Sequence, residues 1–194
     1  MDDLTGFTDK ELKKLFGVLD TRQYSCFRDK VIMLFLLDTG IRINELVNVE
    51  IQHLDVKRLT FTIPSEIAKN RRSRTIPVSR KMMKLLMELH EENKSYFEPT
   101  EFLFLTAYGE QMITSTFRRR LYKYAKEAGV KRATPHMFRH TFARNYLLNG
   151  GDIFTLQQIL DHSDITTTRR YIQMDKEHIK AQHRQYSPAS KYLR

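Results

Sequence analysis

Apolar residues recur at helical spacing through most of this chain, and the period shortens to two in one early stretch. Leu12, Leu15, Phe16 and Leu19 lie three or four apart, which predicts an amphipathic helix. Thr8 precedes it as a cap, and Asp9 and Glu11 suit its positive first turn. Residues 27–38 predict a second helix, apolar almost all round from Val31 to Leu37. A helix with no polar face belongs deep in the core. Gly40 reads as the glycine that ends it, and residues 42–47 as a short helix beyond. The pattern then alternates. Residues 59–63 and 74–78 predict two paired strands, the second on a sheet edge because Pro77 cannot donate to a ladder. Residues 68–73 between them form a polar, basic hairpin tip.

Helical spacing returns with Met82, Leu85, Leu86 and Leu89. The short apolar run 102–105 ends near Tyr108-Gly109. Phe117, Leu121, Ala125 and Ala128 form a further stripe, closed by Gly129, with Arg119, Lys123 and Lys126 on the opposite side. Thr134-Pro135 pairs a cap with proline at the first helical position and predicts a helix to about Leu148. Asp152 caps the next, with Ile153, Leu156, Ile159 and Leu160 inward. A loop at residues 161–164 leads to a helical segment through Tyr171. Residues 176–185 are polar, and Ser187-Pro188 breaks them. The fold class is α+β, mostly helical, with a small antiparallel sheet near the first third of the chain. Residues 1–185 read as a single domain and 186–194 as a tail.

Composition narrows the function. The 194 residues carry 33 Lys and Arg against 23 Asp and Glu, a formal net charge of +10. That excess favours an acidic partner, of which nucleic acid is the commonest. At 41% hydrophobic and 29% charged, the chain is globular in composition. Its longest apolar run, residues 31–37, is far short of the roughly 20 a membrane span needs. Met1-Asp2-Asp3 does not open a signal peptide. A single cysteine, Cys26, excludes an internal disulfide and a cysteine-based structural zinc site. The expected compartment is the cytoplasm.

Three basic groups, far apart in sequence, carry candidate chemistry. Arg42 follows the glycine-ended helix, with Glu45 one turn on. His136 and Arg139 share a face in the first turn of a well-started helix, where backbone N–H groups and the dipole favour a phosphate. Arginine suits that role because its planar fork donates two parallel hydrogen bonds. Lys69 sits on the hairpin tip. Each alone also reads as an ordinary solvated residue, and Lys69 as general electrostatic attraction. His136 and His140 have the spacing of a metal pair, but no third ligand accompanies them and the zinc-protease glutamate is missing. No metal site is expected.

Taken together, these residues are far more specific. The order Thr39-Gly-Ile-Arg-Ile-Asn-Glu45, Lys69 in a hairpin, Pro135-His-Met-Phe-Arg-His-Thr-Phe-Ala143, Leu160-Asp-His-Ser-Asp-Ile-Thr-Thr-Thr168 and Tyr171 resembles the tyrosine recombinases, the phage-integrase family. The resemblance runs from about residue 10 to 185 and implies that family's DNA breaking-rejoining catalytic core, without its N-terminal DNA-binding domains. By that likeness the catalytic set is Arg42, Lys69, His136, Arg139, His162 and Tyr171, with Glu45 supporting Arg42 or His136. Asp161 stands where the family usually has glycine, and aspartate tolerates a left-handed backbone. Ile41 replaces the usual leucine. Arg71, Arg72, Arg74, Arg119 and Lys123 are the expected DNA-binding cations.

The resemblance implies site-specific recombination. Arg42 and Arg139 clamp the phosphate with help from His162. Tyr171 attacks phosphorus with help from His136, Lys69 protonates the leaving 5′-oxygen, and a 3′-phosphotyrosyl link forms. That link keeps the phosphoester energy, so no cofactor, metal or ATP is implied. The implied partner is double-stranded DNA, with a DNA-assembled homo-tetramer, accessory DNA-bending proteins and a C-terminal tail docking on a neighbouring protomer. The His140-Thr-Phe-Ala143 segment and the tail lean towards a mobile element of bacterial or phage origin. Two other readings stay open at this level: a non-enzymatic DNA-binding module with helix-turn-helix at residues 155–171, and a type IB topoisomerase-like enzyme.

Overall fold

Thr8 starts the first helix by a reciprocal cap: its hydroxyl accepts from the Glu11 N–H at 3.2 Å, and the Glu11 carboxylate accepts from the Thr8 N–H at 2.9 Å. This computed structural model describes residues 6–161 together with residues 183, 187 and 188. The helices are α1 (Asp9–Gly17), α2 (Tyr24–Thr39), α3 (Ile43–Leu46), α4 (Arg80–Tyr96), α5 (Thr114–Glu127), α6 (Pro135–Leu148) and α7 (Ile153–Leu160). The strands are β1 (Leu54–Asp55), β2 (Thr60–Ile63) and β3 (Arg74–Pro77), all antiparallel in the order β1-β2-β3. The mostly helical α+β class is therefore observed. Two compact units divide the chain, residues 1–142 and 143–194, with the boundary inside α6.

In the first unit, α2 is the core element its sequence predicts. Val31, Ile32, Met33, Phe35 and Leu36 are fully buried. The Phe35 ring meets Phe61 of β2 edge-on at 5.6 Å and Phe104 at 6.3 Å. Burying such a side chain stabilises the fold by roughly 1.5–3 kcal/mol. Phe117 and Leu121 of α5, and Met82, Met83, Leu86 and Leu89 of α4, supply further buried groups. Pro77 lies opposite Thr60 on the edge strand, as its missing N–H demands. β1 has no counterpart in the sequence reading, because two residues are too few to show a period. Segment 6–8 is tied to α6: the Phe7 N–H donates to Thr141 Oγ1 at 2.7 Å, and the Phe7 and Phe138 rings lie 4.7 Å apart. A Cβ on Gly6 would fall 2.7 Å from that same oxygen, so only glycine fits there.

One buried polar cluster escapes the sequence reading. Arg28 and Asp29, at the start of α2, are both enclosed. Arg28 donates to Asp29 at 2.9 and 2.7 Å and to the Leu105 carbonyl at 2.6 Å. Asp29 also accepts from the Tyr124 hydroxyl at 2.7 Å and from Arg120. Burial, followed by the Asp29 charge and hydrogen bond, pushes the Tyr124 hydroxyl well above its ordinary range.

In the second unit, Ala143, Leu147, Leu156 and Leu160 are buried. Asp152 caps α7 by accepting from the Thr155 N–H at 2.7 Å. Asp161 ends that helix at φ 51, the left-handed turn expected of a residue standing where glycine is usual.

Candidate active site

The site begins at the end of α2. Gly40 takes the left-handed conformation at φ 63, with its N–H on the Leu36 carbonyl at 3.0 Å. The chain then alternates: Ile41 and Ile43 are buried, so Arg42 between them is turned outward. Arg42 also occupies the N-cap position of α3. Because α3 is a single turn, it returns Glu45 beneath Arg42.

Glu45 is only 1% exposed, and three segments converge on it. Its Oε2 accepts from the Arg42 backbone N–H at 3.2 Å and from Arg74 Nη2 at 2.6 Å. Its Oε1 accepts from Arg74 Nη1 at 3.1 Å, from Arg42 Nη1 at 3.4 Å and from the Lys69 backbone N–H at 3.4 Å. Burial pushes the Glu45 carboxyl up. The hydrogen bonds and charge of Arg74, with the charge of Arg42, outweigh it and hold the group below the ordinary glutamate range. A buried carboxylate therefore stays ionised, and it gathers Arg42 and the Lys69 loop around one point.

Arg139 reaches the same corner from α6. Pro135 is buried at the first position of that helix, and Met137 and Phe138 pack inward. Arg139 is 7% exposed and donates from Nη1 to the Gly40 carbonyl at 2.6 Å. The turn that presents Arg42 is thus the turn on which Arg139 rests. His136 is exposed in the first turn of α6, three residues before Arg139.

Of the residues singled out by sequence, the structure gathers Arg42, Glu45, the Lys69 backbone and Arg139 around residues 40–45. Lys69, Arg71 and Arg72 are exposed on the hairpin loop, and Arg119 and Lys123 are exposed on α5. Arg74, grouped by sequence with the outward cations of the hairpin, instead turns inward onto Glu45. The signal for this is in β3 itself. Arg74, Ile76 and Val78 share one phase of the strand, and Ile76 and Val78 are buried. His162 and Tyr171 lie outside the described residues, as do loop positions 162–164 and most of the segment beyond. Among the described residues, no group of three or more His, Cys, Asp or Glu could hold a metal ion. No described helix is long and apolar enough to cross a membrane.

What the arrangement can do follows from its charges. Two arginines set by a shared turn, one of them backed by a buried carboxylate, present fixed donors of the kind that bind a phosphodiester and the extra charge it gains when attacked. Residues 6–178 match the model of the phage integrase family. Over 176 residues the chain is 32% identical to the tyrosine recombinase XerA of Pyrococcus furiosus, covering 89% of this chain and 58% of that protein. It therefore spans rather more than half the length of that curated relative. The fold matches the crystal structure of XerA recombinase with a TM-score of 0.76 at 28% identity, over 95% of this chain and 66% of the other. It also matches the Tn1549 transposon integrase in complex with transposon right end DNA, with a TM-score of 0.78 over 96% and 67% of the two chains. At 21% identity, that last likeness bears on the fold alone.

Proposed function

Since this chain belongs to the phage integrase family, we propose that it is the catalytic part of a site-specific DNA recombinase. It cleaves and rejoins double-stranded DNA through a 3′-phosphotyrosyl intermediate. The observation that carries this reading is the joint placement of Arg42 and Arg139 on the Gly40 turn, with Glu45 buried behind Arg42. In the proposed reaction both guanidiniums, assisted by His162, bind the non-bridging oxygens of one phosphate. The Tyr171 oxygen attacks phosphorus and gives up its proton with the help of His136. The P–O bond to the 5′-oxygen breaks, and Lys69 protonates that leaving oxygen. The tyrosyl ester preserves the phosphoester energy, so the 5′-hydroxyl of another strand can displace the tyrosine and rejoin the DNA without ATP.

Exchange between two sites needs paired cleavages, which fits a DNA-assembled tetramer with the C-terminal tail of one protomer against the next and DNA-bending proteins as accessories. The proposed setting is integration or excision of a mobile element in a bacterial cytoplasm. It draws on the integrase-like His140-Thr-Phe-Ala143 segment. Arg71, Arg72, Arg119 and Lys123 are proposed to bind the DNA backbone around the cleaved phosphate.

The test is to incubate the protein with supercoiled plasmid and with nicked DNA in EDTA, and to trap covalent products with SDS. A DNA-linked protein band is expected, lost in Tyr171→Phe while DNA binding survives. Adducts that persist in Tyr171→Phe, or tight DNA binding with no adduct on either substrate, would overturn the proposal.

A further inference from the structure

We infer that Arg74 is a positioning residue for the strand-transfer site, holding the Glu45 carboxylate where it sets both Arg42 and the backbone of Lys69. The inference rests on the function proposed above and adds to it a residue that touches neither phosphate nor tyrosine. Arg74 opens β3 and pairs with Ile63 of β2, so the sheet fixes its backbone. Its side chain is 11% exposed and points to the core side of the strand, in phase with Ile76.

The distances rank the bonds to Glu45. Arg74 grips both carboxylate oxygens, at 2.6 and 3.1 Å, in the fork geometry that makes arginine–carboxylate pairs strong. The Arg42 backbone N–H holds one oxygen singly at 3.2 Å, and the Arg42 guanidinium and the Lys69 N–H reach the same carboxylate only at 3.4 Å. Single or long contacts leave a carboxylate free to turn about them, whereas a short bidentate pair fixes both of its oxygens. Arg74 is therefore the anchor and Arg42 and the Lys69 loop are the followers. A cation grouped by sequence with the DNA contacts is committed to the protein instead, and it links the sheet to the residue proposed to clamp phosphate and to the loop proposed to carry the general acid.

Arg74→Lys tests this, because lysine keeps the charge and loses the fork. On a nicked substrate, single-turnover adduct formation should fall about 10- to 100-fold, the scale of a small misplacement of reacting groups. DNA affinity and its salt dependence should stay as in the unaltered protein. If Arg74 were a phosphate contact, lysine would keep its charge on the DNA, and cleavage would change only in step with binding. That result, or adduct formation at the unaltered rate, overturns the inference.

The double variant Arg74→Gln/Glu45→Gln leaves no lone charge at the centre of the cluster. It should be no slower than Glu45→Gln alone, and fully additive losses would break the proposed link. A readout independent of turnover is the guanidinium 15N shift of Arg42, which should move in Arg74→Lys; an unmoved signal overturns the inference. If the unaltered protein forms no adduct, the proposed function fails by its own test, and the Arg42 signal still decides the role of Arg74.

Discussion

Two buried carboxylates in the first unit do opposite work with the same ingredients. Asp29 and Glu45 each collect two arginines. Around Asp29 the bonds close on one another: Arg28, 2% exposed, holds Asp29 and a backbone carbonyl, and Arg120, though 29% exposed, holds Asp29 and the Tyr124 hydroxyl. The product is a fixed junction between α2 and α5. Around Glu45 the carboxylate is equally buried, but Arg42 stands at the protein surface with 18% of its side chain exposed. There the burial of the anion serves to aim a cation outward. What separates a structural pair from a poised one is therefore the grip on the cation, forked at 2.9 and 2.7 Å on Arg28 and single at 3.4 Å on the Arg42 guanidinium, because a buried anion needs partners in both cases.

The sharpest way to break the comparison is Asp29→Ala. It leaves the enclosed Arg28 with no counter-ion, and unfolding stability should fall by about 3–5 kcal/mol. Urea denaturation measures this, and a loss under 1 kcal/mol would place Asp29 in the same class as a surface pair. Glu45→Gln comes next, at about 1.5–3 kcal/mol, since the amide oxygen can still accept from one of the arginines. Its signature is in the pH dependence. A carboxyl held below its ordinary value of 4.5 stabilises the fold fully above that value, and the contribution is lost as pH falls through the lower folded value. The stability gap between the unaltered protein and Glu45→Gln should thus be flat at neutral pH and close in acid. A gap that widens in acid would contradict the ionised hub. The smallest effect is expected for Tyr124→Phe, which removes the hydroxyl that donates to Asp29 and accepts from Arg120 but leaves the ion pairs, at about 1 kcal/mol in the same denaturation assay.

Much of this contrast was open to reading from sequence, and the remainder fails for identifiable reasons. The caps at Thr8 and Asp152, the glycine at residue 40 and the edge strand at Pro77 each depend on chemistry within a few neighbouring residues. Local rules reach them. Arg28 and Asp29 are missed because the nearly unbroken apolar run that follows them in α2 gives no polar face to flag, and their partners, Leu105 and Arg120, are 77 and 91 residues away. Arg74 is a different kind of miss. The alternation that put Ile76 and Val78 inward applied equally to Arg74, but its charge and its basic neighbours drew it into the surface group. Family resemblance brought together Arg42, Lys69 and Arg139, and the structure places two of them on one turn: Arg139 rests on the Gly40 carbonyl, two residues before Arg42. Nothing in the chain's periodicity indicates that the Gly40 carbonyl would be the seat of Arg139.

The Asp29 junction also constrains how such a chain can change over generations. Asp29 holds Arg28 and Arg120 at once, so replacing it alone strands two cations, and replacing either arginine alone leaves the acid under-compensated. Each single step is a loss, while a concerted exchange of all three for apolar residues of similar volume is tolerable. The three positions should therefore be inherited as a block. Relatives should carry the whole trio or a wholly apolar substitute, and α5 should stay in register with α2 while the surface residues it displays diverge freely.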